Sequence, residues 1–172
     1  MLKTGLWGAM ALAVIVGGHG AQAQTPIPPS PKDFVLAASQ NDQYEVLAAS
    51  VASVQGQDRR VRTFAQEMIQ EHTRLAEDLR KAAAASGLPS PEPGISSDQA
   101  SLLSSLQSVR GPDFDKTYAR QQELVHAQAV AVEESFATAG SDSNLRKAAQ
   151  SALASIRDHL KKAQLRVDVG GS

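Results

Sequence analysis

DRRVRTFAQEMIQEHTRLAEDLRKAAAAS, residues 58–86, contains neither Gly nor Pro, and its reading decides the class of fold. Val61, Phe64, Ala65, Met68, Leu75, Leu79 and Ala82 recur at helical spacing, and His72 stands in the same stripe. The opposite face is polar, with Arg59, Arg62, Gln66, Gln70, Glu77 and Arg80. Asp58 suits an N-cap, Gly87 the position just past the last turn, and Pro89 stops continuation. The stretch predicts one long amphipathic helix with a histidine in its buried face.

Outward from it, the same punctuation repeats. The stretches 32–55, 113–139 and 141–168 also lack Gly and Pro. In a helix interior Pro costs about 3 kcal/mol and Gly about 1 kcal/mol, so their confinement to narrow breaks marks helix ends. A first helix is predicted over Pro31 to Gln55, with an inward stripe of Phe34, Ala37, Ala38, Asn41, Tyr44, Glu45, Ala48, Val51 and Ala52, widened by Leu36, Leu47 and Val54. A third, Asp113 to Ala139, presents Phe114, Tyr118, Gln122, Val125, His126, Ala129, Val132 and Phe136. A fourth begins between Ser141 and Ser143 and presents Leu145, Ala148, Ala149, Ala152, Ile156, His159, Leu160 and Ala163. Between the second and third lies a Pro-rich piece from Gly87 to Gly94. A short helix follows it, capped by Ser97 or Asp98 and carrying Leu102, Leu103, Leu106 and Val109. No run of β-branched residues alternates with period two.

Four such helices predict an all-α four-helix bundle. The short breaks at Gly56 and Gly140 make antiparallel neighbours of the helices they join. The connection 87–112 is long enough to return along the bundle, which makes the second and third helices parallel. The expected fold is therefore ferritin-like, with one long crossover that contains the short extra helix. A plain up-down bundle with a large loop is the alternative.

The chain has 172 residues, enough for one modest core. Residues 1–23 read as a secretory signal: Lys3, an apolar run from Leu6 to Val16, then Ala21-Gln22-Ala23, with cleavage expected after Ala23. The apolar run falls short of the roughly 20 residues that span a bilayer, so no stable membrane insertion is expected after cleavage. Residues 24–31 are a Pro-rich N-terminal segment, 32–165 the bundle and 166–172 a flexible tail. The bacterial style of the signal places the protein in the periplasm. Lys plus Arg is 17 against 18 Asp plus Glu, so no electrostatic reason exists to bind nucleic acid. Cys is absent, which excludes disulfides, thiolate metal sites and a Cys nucleophile. No G-x-S-x-G or comparable elbow is present, and an enzymatic role would require a metal with an open coordination position. Protein partners are not legible, beyond a possible homo-oligomer.

Four titratable side chains interrupt the apolar stripes, one per long helix: Glu45, His72, His126 and His159. At about 1.5 Å per residue, Glu45 and His72 differ in height by about 8 Å at most, as do His126 and His159. His72 and His126 are level within about 1.5 Å if their helices are parallel. Buried imidazoles and carboxylates need partners, and three imidazoles with one carboxylate form a first shell for a divalent transition metal. Glu71, Glu123 and Asp158 are possible additional ligands, and Glu123 with His126 has the E-x-x-H spacing of di-iron bundles. Neither Glu71-His72 nor Asp158-His159 repeats that spacing, so a mononuclear site fits better. Tyr118, Gln122 and Met68 are candidates to stand behind the ligands, and Tyr118, Gln122 and His126 also fit a simple polar ladder. Ligation needs neutral imidazoles, so binding is expected to weaken below about pH 6.

The pieces Asp33-Phe34 with Ala37-Ala38 and Glu45, Val61 to His72, Phe114 to Tyr118 with Gln122 and His126, and Leu153 to Leu160 with His159 together resemble the bacterial exported-protein family catalogued as domain of unknown function 4142. The resemblance covers about residues 32–165 and implies a ferritin-like fold and a cell-envelope location, with no established activity. The family pattern usually has Asp where this chain has Glu71, and often Gly where it has Asn41. Two functions are compatible with these readings. One is a periplasmic metal-binding bundle for storage, buffering or oxidant defence. The other is a non-enzymatic envelope or stress-related protein whose core histidines are structural.

Overall fold

A computed structural model describes residues 29–169, with side chains through 164. The signal segment, its cleavage site, most of the Pro-rich piece and residues 170–172 lie outside the described residues. Five α-helices and no strands occur among the described residues: α1 Pro31–Gln55, α2 Arg59–Ala85, α3 Ser97–Ser108, α4 Pro112–Ala139 and α5 Ser143–Val169.

The helix ends follow from local chemistry. Ser30 Oγ accepts from Asp33 N–H, and Pro31 opens α1 where no intrahelical donor is needed. Asp58 caps α2 by accepting from Arg60 N–H. The short helix α3 is capped by Ser96, not by Ser97 or Asp98. Ser96 and Gln99 form a reciprocal capping box that satisfies two otherwise orphaned donors. The turns at Gly56 and Gly140 are tight. A Cβ at Gly56 would lie 2.7 Å from the Ala52 carbonyl oxygen, and one at Gly140 would lie 2.6 Å from the Phe136 ring.

Side chains at the two ends fix the directions. Both Asp115 oxygens, at the start of α4, accept backbone N–H groups at the start of α2, from Gln57 at 2.9 Å and Asp58 at 2.8 Å. At the far end Ser86 Oγ donates to Asp142 Oδ1 at 2.7 Å, and Asn144 Nδ2 donates to the Ala85 carbonyl at 3.2 Å. The helices α2 and α4 therefore start at one end and run the same way. The main packing pairs are α1 with α2 and α4 with α5, completed by α1 with α4 and α2 with α5. That ring leaves α2 and α4 across the diagonal, not side by side. The short α3 covers α1 and α4; Gln121 on α4 binds the Leu102 carbonyl on α3 and accepts from Tyr44 on α1.

Two apolar layers fill the ends. One contains Tyr44, Val61, Phe64, Met68, Leu106, Phe114 and Tyr118. The other is built on Phe34 stacked on Phe136 at 4.1 Å, with Leu79, Leu145 and Leu153. The inward stripe of α1 differs from the sequence expectation. Leu36 and Val54 face solvent, whereas Val35, Asp42 and Ala49 are buried. Neighbours on two sides, α2 and α4, rotate the buried face toward Asp42.

Candidate metal centre

The polar core lies between the two apolar layers. Glu45, His72 and His126 are wholly buried, and His159 is 2% exposed. Each helix of the four-membered ring contributes one of them, as the spacing predicts. The three histidine rings form a near-equilateral group, with centroids 5.4 Å (His72–His126), 5.3 Å (His72–His159) and 5.4 Å (His126–His159) apart. One nitrogen from each ring lies within 4.8 Å of the others. One turn further along, Leu75, Ala129 and Ile156 pack beneath the triad as an apolar floor.

Hydrogen bonds at the outer nitrogens set which atoms face inward. His126 Nδ1 lies 2.8 Å from the Gln122 carbonyl oxygen. A carbonyl only accepts, so His126 Nδ1 carries the hydrogen and Nε2 presents a lone pair. That Nε2 is 3.4 Å from His72 Nε2. His72 Nδ1 in turn lies 2.9 Å from Asp42 Oδ1. His159 Nδ1 is buried without a hydrogen-bond partner. Burial dominates the electrostatics and pushes all three histidines down to about 4, so the imidazoles are neutral at neutral pH. The same burial raises the Asp42 and Glu45 carboxyls.

The structure separates the roles of the sequence candidates. Glu45 sits at the outer nitrogen of His126, Oε1 3.6 Å from Nδ1, and its Oε2 accepts from Gln122 Nε2 at 2.6 Å. It does not join the inward nitrogens. Gln122 thus fixes both Glu45 and His126, one through its amide and one through its carbonyl. Met68 and Tyr118 are buried in the neighbouring apolar layer. The outlying acids are not in the cluster. Glu71 is half-buried and takes Arg74 at 3.0 Å, Asp158 is exposed and pairs with Lys162 at 2.7 Å, and Glu123 is half-buried. Adjacent helical residues point about 100° apart, which turns Glu71 and Asp158 away when His72 and His159 face in.

Sequence reasoning missed Asp42, Gln121 and Glu133, all buried. The signals were present. Asp42 is one turn from Glu45, and Glu133 is seven residues past His126, two turns along the same face.

Residues 17–165 match the model of the family described as domain of unknown function, DUF4142. No curated protein matches the sequence. Among solved structures, CopM in the Cu(II)-bound form superposes with a TM-score of 0.69 at 16% identity, over 82% of this chain and 97% of that one. CopM in the Cu(I)-bound form gives 0.69 and 16%, over 84% and 99%. A DUF305 fragment from Deinococcus radiodurans gives 0.70 and 18%, over 83% and 98%. At these identities the likeness is one of helical fold.

Proposed function

The chain belongs to the DUF4142 family, and we propose that it is an exported helical-bundle protein that holds a divalent transition metal on His72, His126 and His159. The observation that carries this reading is the fixed tautomer of His126. Its Nε2 lone pair faces His72 Nε2 at 3.4 Å, with the third ring alongside. Two nitrogens bound about 2.0–2.1 Å from one ion at a near-tetrahedral angle stand about 3.3–3.4 Å apart, so the gap suits a shared metal. A neutral, all-imidazole set favours copper, zinc or nickel over the oxygen-seeking ions. Copper is the first candidate, because the fold is shared with CopM structures described as Cu(II)- and Cu(I)-bound.

Three protein ligands leave a fourth position open. That position would let the ion be exchanged, which suits storage or buffering, or meet an oxidant. We read the bundle as ferritin-like, with residues 87–111 as its one long crossover, and the protein as periplasmic after cleavage behind Ala23. The supports are the shared direction of α2 and α4, and the signal-like sequence.

A structural role is the competing reading. One proton placed between the two facing Nε2 atoms would satisfy them without a metal, and His72 would still be held by Asp42. Thermal melts of untagged protein, in chelator and with added Cu(II) or Zn(II), separate the two. A bound metal raises the wild-type midpoint by mass action, and His126→Ala abolishes that rise. If neither ion shifts the wild-type midpoint, the metal reading fails and the structural one stands.

A further inference from the structure

Beyond the histidines lies a second pair of buried ligating groups, Asp42 and Glu133, 5% and 6% exposed. They come from α1 and α4. Both line a cavity of about 320 Å³ between α2 and α5. A second cavity of about 200 Å³, between α1 and α4, reaches Glu133 from the other face of the bundle. Glu133 Oε2 is buried without a hydrogen-bond partner. Asp42 commits one oxygen to His72 and keeps the other. A buried carboxylate oxygen left without a partner, as Glu133 Oε2 is, is costly, and a cation with its water satisfies it.

The two cavities differ in their walls. Lys81, Lys147 and Asp78 stand on the α2–α5 cavity; Lys81 pairs with Asp78 at 3.7 Å, which leaves the Lys147 charge to oppose entry of a cation. The α1–α4 cavity has no basic residue. Its polar walls are Gln40, Asn41 and Gln128, whose amide oxygens can replace waters on a passing ion, and the capping pair Ser96 and Gln99.

We propose that Asp42 and Glu133 form a second cation site, distinct from the histidine triad and entered between α1 and α4, for a hard divalent ion that keeps several waters. Oxygen-only ligands select Mn(II), Mg(II) or Ca(II) over copper. The site shares Asp42 with the triad, through the Oδ1 that holds His72, and otherwise uses Glu133 and its own cavity.

Mn(II) is the probe, followed by its electron paramagnetic resonance signal in the full-length protein with the triad either chelator-stripped or preloaded with Cu(II). One bound Mn(II) is expected in both states. Glu133→Gln should weaken it about tenfold or more, since even groups one step outside a metal shell cost 10- to 100-fold. The same variant should leave Cu(II) stoichiometry unchanged. Glu134→Gln, at an exposed acid paired with Arg157, should bind Mn(II) like wild type. Thermal melts of both variants establish that they are folded at the temperature of the titration. No Mn(II) on the wild type, equal binding by Glu133→Gln, or loss of Mn(II) on copper loading would each overturn the proposal.

Discussion

Asp42 on α1 and His72 on α2 meet inside the bundle, Oδ1 to Nδ1 at 2.9 Å. The contact fixes the plane of the His72 ring and turns its Nε2 toward His126. A carboxylate at the outer nitrogen also makes the imidazole a stronger donor to a metal. Asp42→Ala should therefore lower copper or zinc affinity at the triad by about 10- to 100-fold at unchanged stoichiometry. Competition against a chelator of known affinity measures this. Undiminished affinity would mean that packing alone orients the ring.

The pH dependence of the stripped protein carries a definite sign. Burial holds the three histidines near 4 in the folded state, against 6.5 when unfolded. Between those values the unfolded chain binds more protons, so acid favours unfolding. The histidine contribution is complete above about pH 6.5 and is lost as pH falls toward 4. Across that window the wild-type denaturant midpoint in chelator should fall relative to that of His159→Gln, which lacks one of the buried imidazoles. The depressed values also move the acid limit of metal binding below the pH 6 that free imidazoles imply, toward pH 4–5. Identical pH slopes of the wild type and His159→Gln between pH 6.5 and 4 would contradict the buried neutral triad.

Asp115 is a cap supplied from a distant part of the chain. Its two oxygens satisfy the Gln57 and Asp58 N–H groups ahead of α2. Asp115→Ala should cost about 1–2 kcal/mol in chemical denaturation, the usual worth of a lost cap with its hydrogen bonds. Metal stoichiometry should not change, because the triad lies toward mid-helix.

The helices were legible because Gly and Pro are confined to breaks, and the triad was legible because His72, His126 and His159 interrupt apolar stripes. Asp42 and Glu133 were not. A periodicity reading treats an acid as solvent-facing, and only the partner across the bundle reveals otherwise. For Asp42 that partner is His72, thirty residues away. Asn41 occupied the stripe in its place because a one-residue rotation of α1 is invisible until α2 and α4 are both in position. Glu45 was correctly placed in the core, yet its side of the His126 ring depended on the Gln122 amide, which no spacing rule specifies. Ser96 lay one residue outside the expected cap, and the Gln99 side of its box decides between neighbouring serines.

Glu133 imposes a pH dependence opposite to that of the histidines. Burial, helped by the nearby Asp42, pushes its carboxyl up to about 8. In the unfolded chain it titrates near 4.5. Between these values the folded state holds a proton that the unfolded state releases, so rising pH favours unfolding. The Glu133 contribution to stability is fully present below about pH 4.5 and is lost as pH rises through 8. Glu133→Gln removes the titration while keeping the shape. Its own buried amide needs partners, which offsets part of the gain. In chelator the variant should therefore match the wild type near pH 4.5 and exceed it by about 1–3 kcal/mol at pH 7.5. Denaturation curves at the two pH values give the difference directly. With saturating Mn(II) the advantage should shrink, because the ion stabilises only the protein that retains the carboxylate. Equal stability of the two proteins at pH 7.5 in chelator would show that Glu133 finds solvent or a partner in the folded state, and would remove the electrostatic cost assigned to it.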